Sequence, residues 1–553
     1  MEYRTLIWGL LPSSPMSKIL PWILACTPFL LANSPEAQCL TAEFRADETA
    51  TASQYAGDLA VLGDELVVGS YGELGDRTPE AAVFILEREG SNWFARERLE
   101  LESFTNSLRM GLRVAAGPAG IAITAPVHEQ HLIGCFIFEE QPDSSWKRTR
   151  LFNDADRTSY PADLVVGEDF VAVGFPRDDG NGRDTGSVHL FGEKDGIWTV
   201  TGELAPALTE GSLHFGQNLA YANGILAISA TGDDENGEGS GAVYLFEHTG
   251  GRTWNRLRKL MASDGHQGDF FGASLAFDGT TLVVGATGVD YGRWDAGGVY
   301  IFEKRFGEWT EIQRLALSNP EPNRHLGRSV AVRGDRLLVG SAEREPSIVR
   351  VYKRSPVDGL WDPNGSLATN PDHLGGDMPF WRQQFGDSLA LLGTRAFVSS
   401  SLKNHGFQLE GSGFEYSLDA SDCASLENHT LLSTGSAEFT IARGPAGAGK
   451  PYILLGSHTG TSPGLPLGTD RVPLNYDFYF LATLSTPTKA LLRGSLGILD
   501  ANGQATIQLD VPTEYVASLG NIKLHHAFLE LSGGSVTHIS NAVGTWMWPQ
   551  SIW

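Results

Sequence analysis

Residues 271–286 read FGASLAFDGTTLVVGA, and the apolar run GGVYIFE follows at 297–303. A Phe-Gly pair, an alternating run, a tight Asp-Gly turn and a second apolar run describe two short strands joined by a hairpin. The stretch is one of seven. The copies open YAGDLAV at 55, MGLRVAA at 110, YPADLVV at 160, FGQNLAY at 215, FGASLAF at 271, LGRSVAV at 326 and FGDSLAL at 385, spaced by 55, 50, 55, 56, 55 and 59 residues. Each copy adds a turn, a second run such as ELVVGS or RLLVGSA, and a third such as AAVFILE or GAVYLFE. The first six then place a tryptophan in register, at Trp93, Trp146, Trp198, Trp254, Trp309 and Trp361, followed by a fourth strand pattern.

Four short strands in a unit of this length, repeated seven times, predict a seven-bladed β-propeller. One unit buries neither of its faces alone, so neighbours must cover both. Small Gly and Ala residues at the motif start permit close backbone approach near a crowded axis. Six tryptophans in one register read as packing between blades. The seventh copy lacks its tryptophan and fourth strand. QCLTAEF at 38–44 has the pattern of the fourth strands elsewhere and is expected to complete that blade. This sets Cys39 beside the strand leading to Cys423, and a Cys39–Cys423 disulfide is expected to clasp the ring. Cys135, inside a strand, reads as an inert core thiol.

FGASLAFDGTTLVVGA resembles the FG-GAP repeat found in the N-terminal propeller of integrin α-chains and in many exported bacterial proteins. The resemblance spans 38–423 and implies a seven-bladed propeller used for extracellular binding. Integrin-type repeats often carry a Ca²⁺ loop between strands one and two. Here those turns are as short as GDE, GED and DGT, too short to supply six oxygen ligands.

The loops between strands two and three are the acidic ones: PRDDGNGRDTG (176–186), TGDDENGEGSG (231–241) and TGVDYGRWDAGG (287–298). Asp178, Asp179, Asn181 and Asp184, with Asp233, Asp234, Glu235 and Asn236, are the candidate calcium ligands; the alternative is a loop whose Asx side chains cap their own backbone. Calcium is the only candidate cofactor.

The chain has 553 residues, with 41% apolar and 19% charged content, which is globular. A formal net charge of −25 repels phosphate backbones and argues against a nucleic-acid partner. Lys18 and the following ILPWILACTPFLLA read as an export signal over residues 1–37, with Met16 an alternative start. No later stretch is apolar for long enough to span a membrane, so a secreted or cell-surface location is expected.

Residues 424–553 leave the repeat. AEFTIARG, PYILLGS, DFYFLATL, GQATIQLDV and IKLHHAFLEL with Asn-Gly and Gly-Gly turns predict a β-sandwich. This region resembles the C-terminal part of exported proteins of planctomycete-type bacteria, which implies no activity. Several motifs fail their structural requirement. GPAGAGK (444–450) is followed by Pro451 and a strand where a phosphate loop needs Ser or Thr and a helix, and the serine of GTSPG (460–464) is followed by Pro463, which has no amide for an oxyanion. HEQH (128–131) has its histidines one residue too close for a helical zinc pair, and RGD (333–335) is a hairpin turn. His525 and His526 sit in one strand, so one of them must face inward.

With no catalytic residue assigned, the expected function is an exported non-enzymatic binding or adhesion protein whose partner is an extracellular protein or glycan. Two alternatives remain: a propeller enzyme acting on extracellular polysaccharide, with carboxylates or histidines at the ring axis, and a structural cell-surface component.

Overall fold

A computed structural model describes residues 39–44, 53–74, 78–89, 92–100, 113–127, 132–153, 160–206, 211–250, 252–290, 292–317, 322–341, 348–368, 385–400, 404–405, 408–409, 412–418, 425–428, 436–443, 447–457, 465–467, 470–472, 474, 476, 478–485, 492–510, 522–532, 535–539 and 543–547. The export signal, Cys423 and hence the Cys39–Cys423 pairing, HEQH and GTSPG lie outside the described residues. The chain divides into two compact units, one of them Gln38–Cys423 and the other including Ala424–Trp553.

The larger unit is an all-β propeller fold in which the described residues form seven four-stranded antiparallel sheets. Sheet 1 runs through Ser53–Leu62, Glu65–Leu74, Thr78–Glu89 and Asn92–Glu100. Sheets 2 to 6 repeat that order and begin with the inner strands Arg113–Gly117, Asp163–Val166, Phe215–Ala222, Phe271–Phe277 and Ser329–Arg333. Sheet 7 takes three strands, Phe385–Leu392, Arg395–Ser400 and Ser412–Ser417, from its own copy and its outer strand, Cys39–Phe44, from the start of the unit. Cys39 pairs with Ser417 and Phe44 with Gly413 in that closing ladder.

Each inner strand touches the next, and the seventh touches the first. The apolar residues form one cluster per junction. Ala390, Leu392 and Phe397 of sheet 7 pack with Leu59 and Leu66 of sheet 1, closing the circuit. Trp146, Trp198, Trp309 and Trp361 each lie in the cluster between their own sheet and the preceding one. Trp254 meets Phe170 of sheet 3 edge-on at 5.0 Å, and Trp93 meets Phe397 of sheet 7 at 5.4 Å. The register therefore encodes packing between sheets. Cys135 is buried at the junction of sheets 2 and 3 as a free thiol, its pKa pushed up by burial.

The opening phrase is explained by these junctions. Its glycine adopts φ of +96° at Gly272 and +88° at Gly327, where an L side chain is strained. The glycine of the second run, Gly285, faces the next motif: a Cβ there would lie 2.0 Å from the backbone oxygen of Gly327. Two glycines on neighbouring sheets thus let the backbones meet, which one sheet's sequence alone does not reveal.

A buried carboxylate fastens the closure. Glu415 of sheet 7 accepts a 2.9 Å hydrogen bond from the Trp93 indole of sheet 1 and lies 3.6 Å from both Arg88 and Arg395.

The smaller unit holds a four-stranded sheet (Ser425–Asn428, Ser436–Ala442, Gln504–Asp510, Leu492–Arg493) and a five-stranded one centred on Pro451–Ser457 and Ile522–Ser532. Phe478–Ser485 is a helix, not the expected strand. Its apolar run has no strict alternation, and Phe480 and Leu484, four apart, share a cluster with Leu455 and Leu529. Thr483 Oγ1 donates to Phe480 O and accepts from Gly456 N, fixing the helix to the neighbouring strand. Arg443 and Glu530 form a buried ion pair at 3.0 Å, and His526 is fully buried against Phe439.

Candidate functional site

The fourth residue of each motif lies near the beginning of an inner strand, beside the ring axis. These seven residues are Asp58, Arg113, Asp163, Asn218, Ser274, Ser329 and Ser388. Every one of them bonds forward to the next copy. Asp58 accepts from Val114 N at 2.9 Å, Arg113 Nε donates to Ala162 O at 3.2 Å, and Asp163 accepts from Leu219 N at 2.8 Å. Asn218 Nδ2 donates to Gly272 O and Ala273 O, Ser274 Oγ to Gly327 O, and Ser329 Oγ to Gly386 O. Ser388 Oγ accepts from Leu59 N at 3.1 Å and donates to Asp58 Oδ1 at 2.8 Å. The result is a girdle of hydrogen bonds around the whole axis.

Charge gathers on one arc of that girdle. Arg113 carries a raised pKa, first because the Asp58 carboxylate stabilises its cation, with Asp163 and Asp387 adding to this. Arg328 Nε donates to Asp387 at 3.1 Å. Burial pushes Asp163 up to about 6 against the pull of Arg113, and burial also raises Asp387. These groups border the axial lumen, so they keep some accessible surface although protein surrounds them; Arg113 is exposed in that sense alone.

The acidic loops end against the next motif on this same face. Phe215 N bonds to Thr185 O, Phe271 N to Ser240 O and Leu326 N to Ala296 O. Asp179, Asp234 and Asp290 occupy one register, and each caps the backbone N–H five residues on: Asp184 at 2.7 Å, Gly239 at 2.8 Å and Asp295 at 2.8 Å. Asp178 accepts from Gly180 N and from the Ser187 hydroxyl. Asp233 accepts from the Tyr244 hydroxyl, and Lys259 bonds both Asp233 (2.7 Å) and Glu235 (2.6 Å). Asn181 Nδ2 donates to Pro206 O, and Asn236 donates its backbone N–H to Ser240 Oγ. The residues picked as calcium ligands are thus placed in two separate loops, with Asp178, Asp179, Asp233, Asp234 and Glu235 accepting bonds from protein donors. No set of three or more His, Cys, Asp or Glu side chains gathers at metal-binding distance among the described residues.

Two aromatic residues on this face were not singled out by sequence. Phe270 is 46% exposed yet holds φ of +53°, unusual for a bulky residue. Its ring borders Gly239 of one acidic loop and Gly288 of the next. Trp294, in the second of those loops, is 78% exposed. His214 and His325 hold the same left-handed register one copy before and after Phe270, a positional signal that repeat alignment would have flagged. The RGD tripeptide is a hairpin turn, with Gly334 N bonded to Asp278.

The family model for the FG-GAP repeat matches residues 198–246 and 254–302. Each match begins at a register tryptophan and ends in the third strand of the following sheet, so each matched segment straddles two sheets. Among solved structures, the chain is similar to the β-propeller domain of the Trilobed protease from Pyrococcus furiosus, at 12% identity and TM-score 0.40, covering 66% of this chain and 98% of that one. It is also similar to an acylaminoacyl peptidase from Pyrococcus horikoshii, at 10% identity and TM-score 0.41, covering 70% of this chain and 57% of that one. A search of curated proteins returned no match. No helix among the described residues is long and apolar enough to cross a membrane.

Proposed function

We propose that the chain is an exported, non-enzymatic binding protein: a closed seven-bladed propeller whose acidic loop face receives extracellular glycan, followed by a β-sandwich made of the two C-terminal sheets. The observation that carries this reading is Phe270. A bulky ring held half exposed at positive φ costs about 1–3 kcal/mol, and such strain persists where the surroundings impose it and function uses it. Aromatic faces stack on sugar rings, and nearby carboxylates accept from vicinal hydroxyls. A glycan array with the mature chain, run with and without chelator, tests the proposal. Phe270→Gly relieves the strain, so it is expected to keep or raise the melting temperature while abolishing retention. Trp294→Ala is expected to weaken retention at unchanged stability. Binding unaffected by both substitutions would refute the reading; loss of binding on chelation would bring calcium back to the loops.

A polysaccharide-cleaving enzyme is the second reading, favoured by the raised pKa values of Asp163 and Asp387 at the axis. Both oxygens of Asp163 accept backbone N–H groups, from Leu164 and Leu219, which suits a structural role better. Release of reducing ends from a bound polysaccharide, lost in Asp387→Asn, would reverse the preference.

A further inference from the structure

The strands of each sheet alternate in direction, so the turns joining strands one and two, and strands three and four, leave the ring on the face opposite the acidic loops. That face has two unlike halves. On sheets 5 and 6 the turns between strands three and four carry apolar tips: Phe306 is fully exposed, at 107%, and Val357 nearly so, at 93%. Phe306 and Gly307 make a two-residue hairpin turn, with φ of +55° and +89°. The same turn in sheet 3 is Asp195 and Gly196, at +53° and +78°, an Asp-Gly pair of the kind such turns favour. A phenylalanine in that place is strained, and its exposed ring adds no packing to its own sheet.

Cations stand beside these tips. Lys304 and Arg305 precede Phe306, and Lys353 and Arg354 lead into the turn that holds Val357. Buried Glu303 lies 3.6 Å from Arg305 and 2.5 Å from Arg354 of the next sheet, which fixes the two turns side by side. Lys304 is exposed and has no acidic partner among the described residues. The neighbouring acids are engaged: Glu308 pairs with Arg258, and Asp358 caps Leu360 N.

Nearly opposite across the axis, the turns of sheets 1 to 3 enclose a recess of about 580 Å³, walled by Leu62, Trp146 and Trp198 and rimmed by carboxylates. Glu65, Glu139 and Glu140 already face Arg96 or Lys147. Glu168, Asp169 and Glu193 are exposed and have no basic partner among the described residues. Glu140 and Glu193 end the third strands of their sheets, as Lys304 and Arg305 end that of sheet 5, so rim and tip stand at one level of the face.

An apolar tip flanked by cations complements an apolar recess flanked by carboxylates. Because one face of one chain carries both, a two-fold axis lying along that face brings each tip to the other copy's recess and makes both contacts at once. This reciprocity favours a second copy over a bilayer, since a chain of net charge −25 is repelled by anionic lipid. We propose that the chain forms a two-fold dimer through this face, Phe306 of each copy seating in the recess of the other and Lys304 meeting Glu193. The acidic loops then face outward on both copies.

Sedimentation velocity of the full chain over a concentration series tests this, and wild type is expected to pass from monomer to dimer. Phe306→Asn installs a residue this turn favours, so it is expected to keep or raise the melting temperature while weakening dimerisation about thirtyfold or more, as loss of an aromatic anchor does. Lys304→Glu and Glu193→Lys, both at exposed positions, are each expected to weaken it about tenfold, because like charges then meet at both contacts. Mixed together, those two variants are expected to form a heterodimer, seen by native mass spectrometry, since each of its contacts regains opposite charges. A wild-type chain that stays monomeric at every concentration would overturn the proposal. So would a dimer of unchanged strength in Phe306→Asn, or a mixture that associates no better than its separate components.

Discussion

The girdle around the axis has two arcs built on one geometry. From Asn218 to Ser388 it is neutral, and each amide or hydroxyl makes short bonds to the next copy's backbone. From Asp58 to Asp163 the same positions carry ionised groups, and the bonds run to backbone amides or from a guanidinium. The charged arc belongs to the three copies whose motifs depart most from Phe-Gly. The repeat therefore fixes where a bond must be made, and the residue type is free to change as long as donor meets acceptor. What changes with it is sensitivity: an ionised link responds to pH and leaves a stranded charge when cut.

The largest expected effect tests the geometry common to both arcs. Gly285→Ala puts a methyl group onto a neighbouring carbonyl and should cost about 3 kcal/mol or more, seen as a large fall in urea midpoint. Gly292→Ala, in open space at φ +72°, should cost about 1 kcal/mol. Similar losses from both would mean the sheets part easily at the axis. Next comes Asp58→Ala, which strips acceptors from Leu59 N, Val114 N and the Ser388 hydroxyl and leaves Arg113 without its main counter-charge. It should cost about 3 kcal/mol, against about 1 kcal/mol for Ser274→Ala on the neutral arc. Equal costs would erase the distinction between arcs.

The pH dependence is smaller. Asp163 is raised from 3.8 to about 6 in the folded state, so the folded protein holds that proton more tightly than the unfolded chain. Its stabilising contribution is complete below about pH 4 and is lost as pH rises through about 6. Melting temperature in wild type should fall across that window because of this group, and Asp163→Asn should flatten the slope. A slope that survives the substitution would move the titration elsewhere. The smallest effect is Ser274→Ala itself, where a melting shift beyond the error of Gly292→Ala would already show that neutral links matter.

Much of this was legible in the sequence, and the reasons are specific. The strands, the tryptophan junctions and the borrowed outer strand all follow from periodicity, because every copy restates them. The acidic loops were visible too; that Asp179, Asp234 and Asp290 share one register and each accept from the backbone N–H five residues on shows only in the hydrogen bonds. The girdle was hidden because its partners sit about 55 residues apart and its letters vary from Asp to Arg to Ser. Phe270 stands one residue before the quoted phrase and drew no attention there; its backbone angle and its place between two loops set it apart. The helix at Phe478–Ser485 was missed since an apolar run of that length fits either period.

The strand Cys39–Phe44 pairs with Ser412–Ser417, the last ladder of the propeller unit. A ribosome therefore releases one half of that ladder at the outset and the other only after six sheets have emerged. Until then the growing chain carries an unmatched β-edge at each end of its arc, a template for pairing with other nascent chains. Trimming a few residues from either terminus of the unit should thus have the same outcome, a ring that stalls at the final joint.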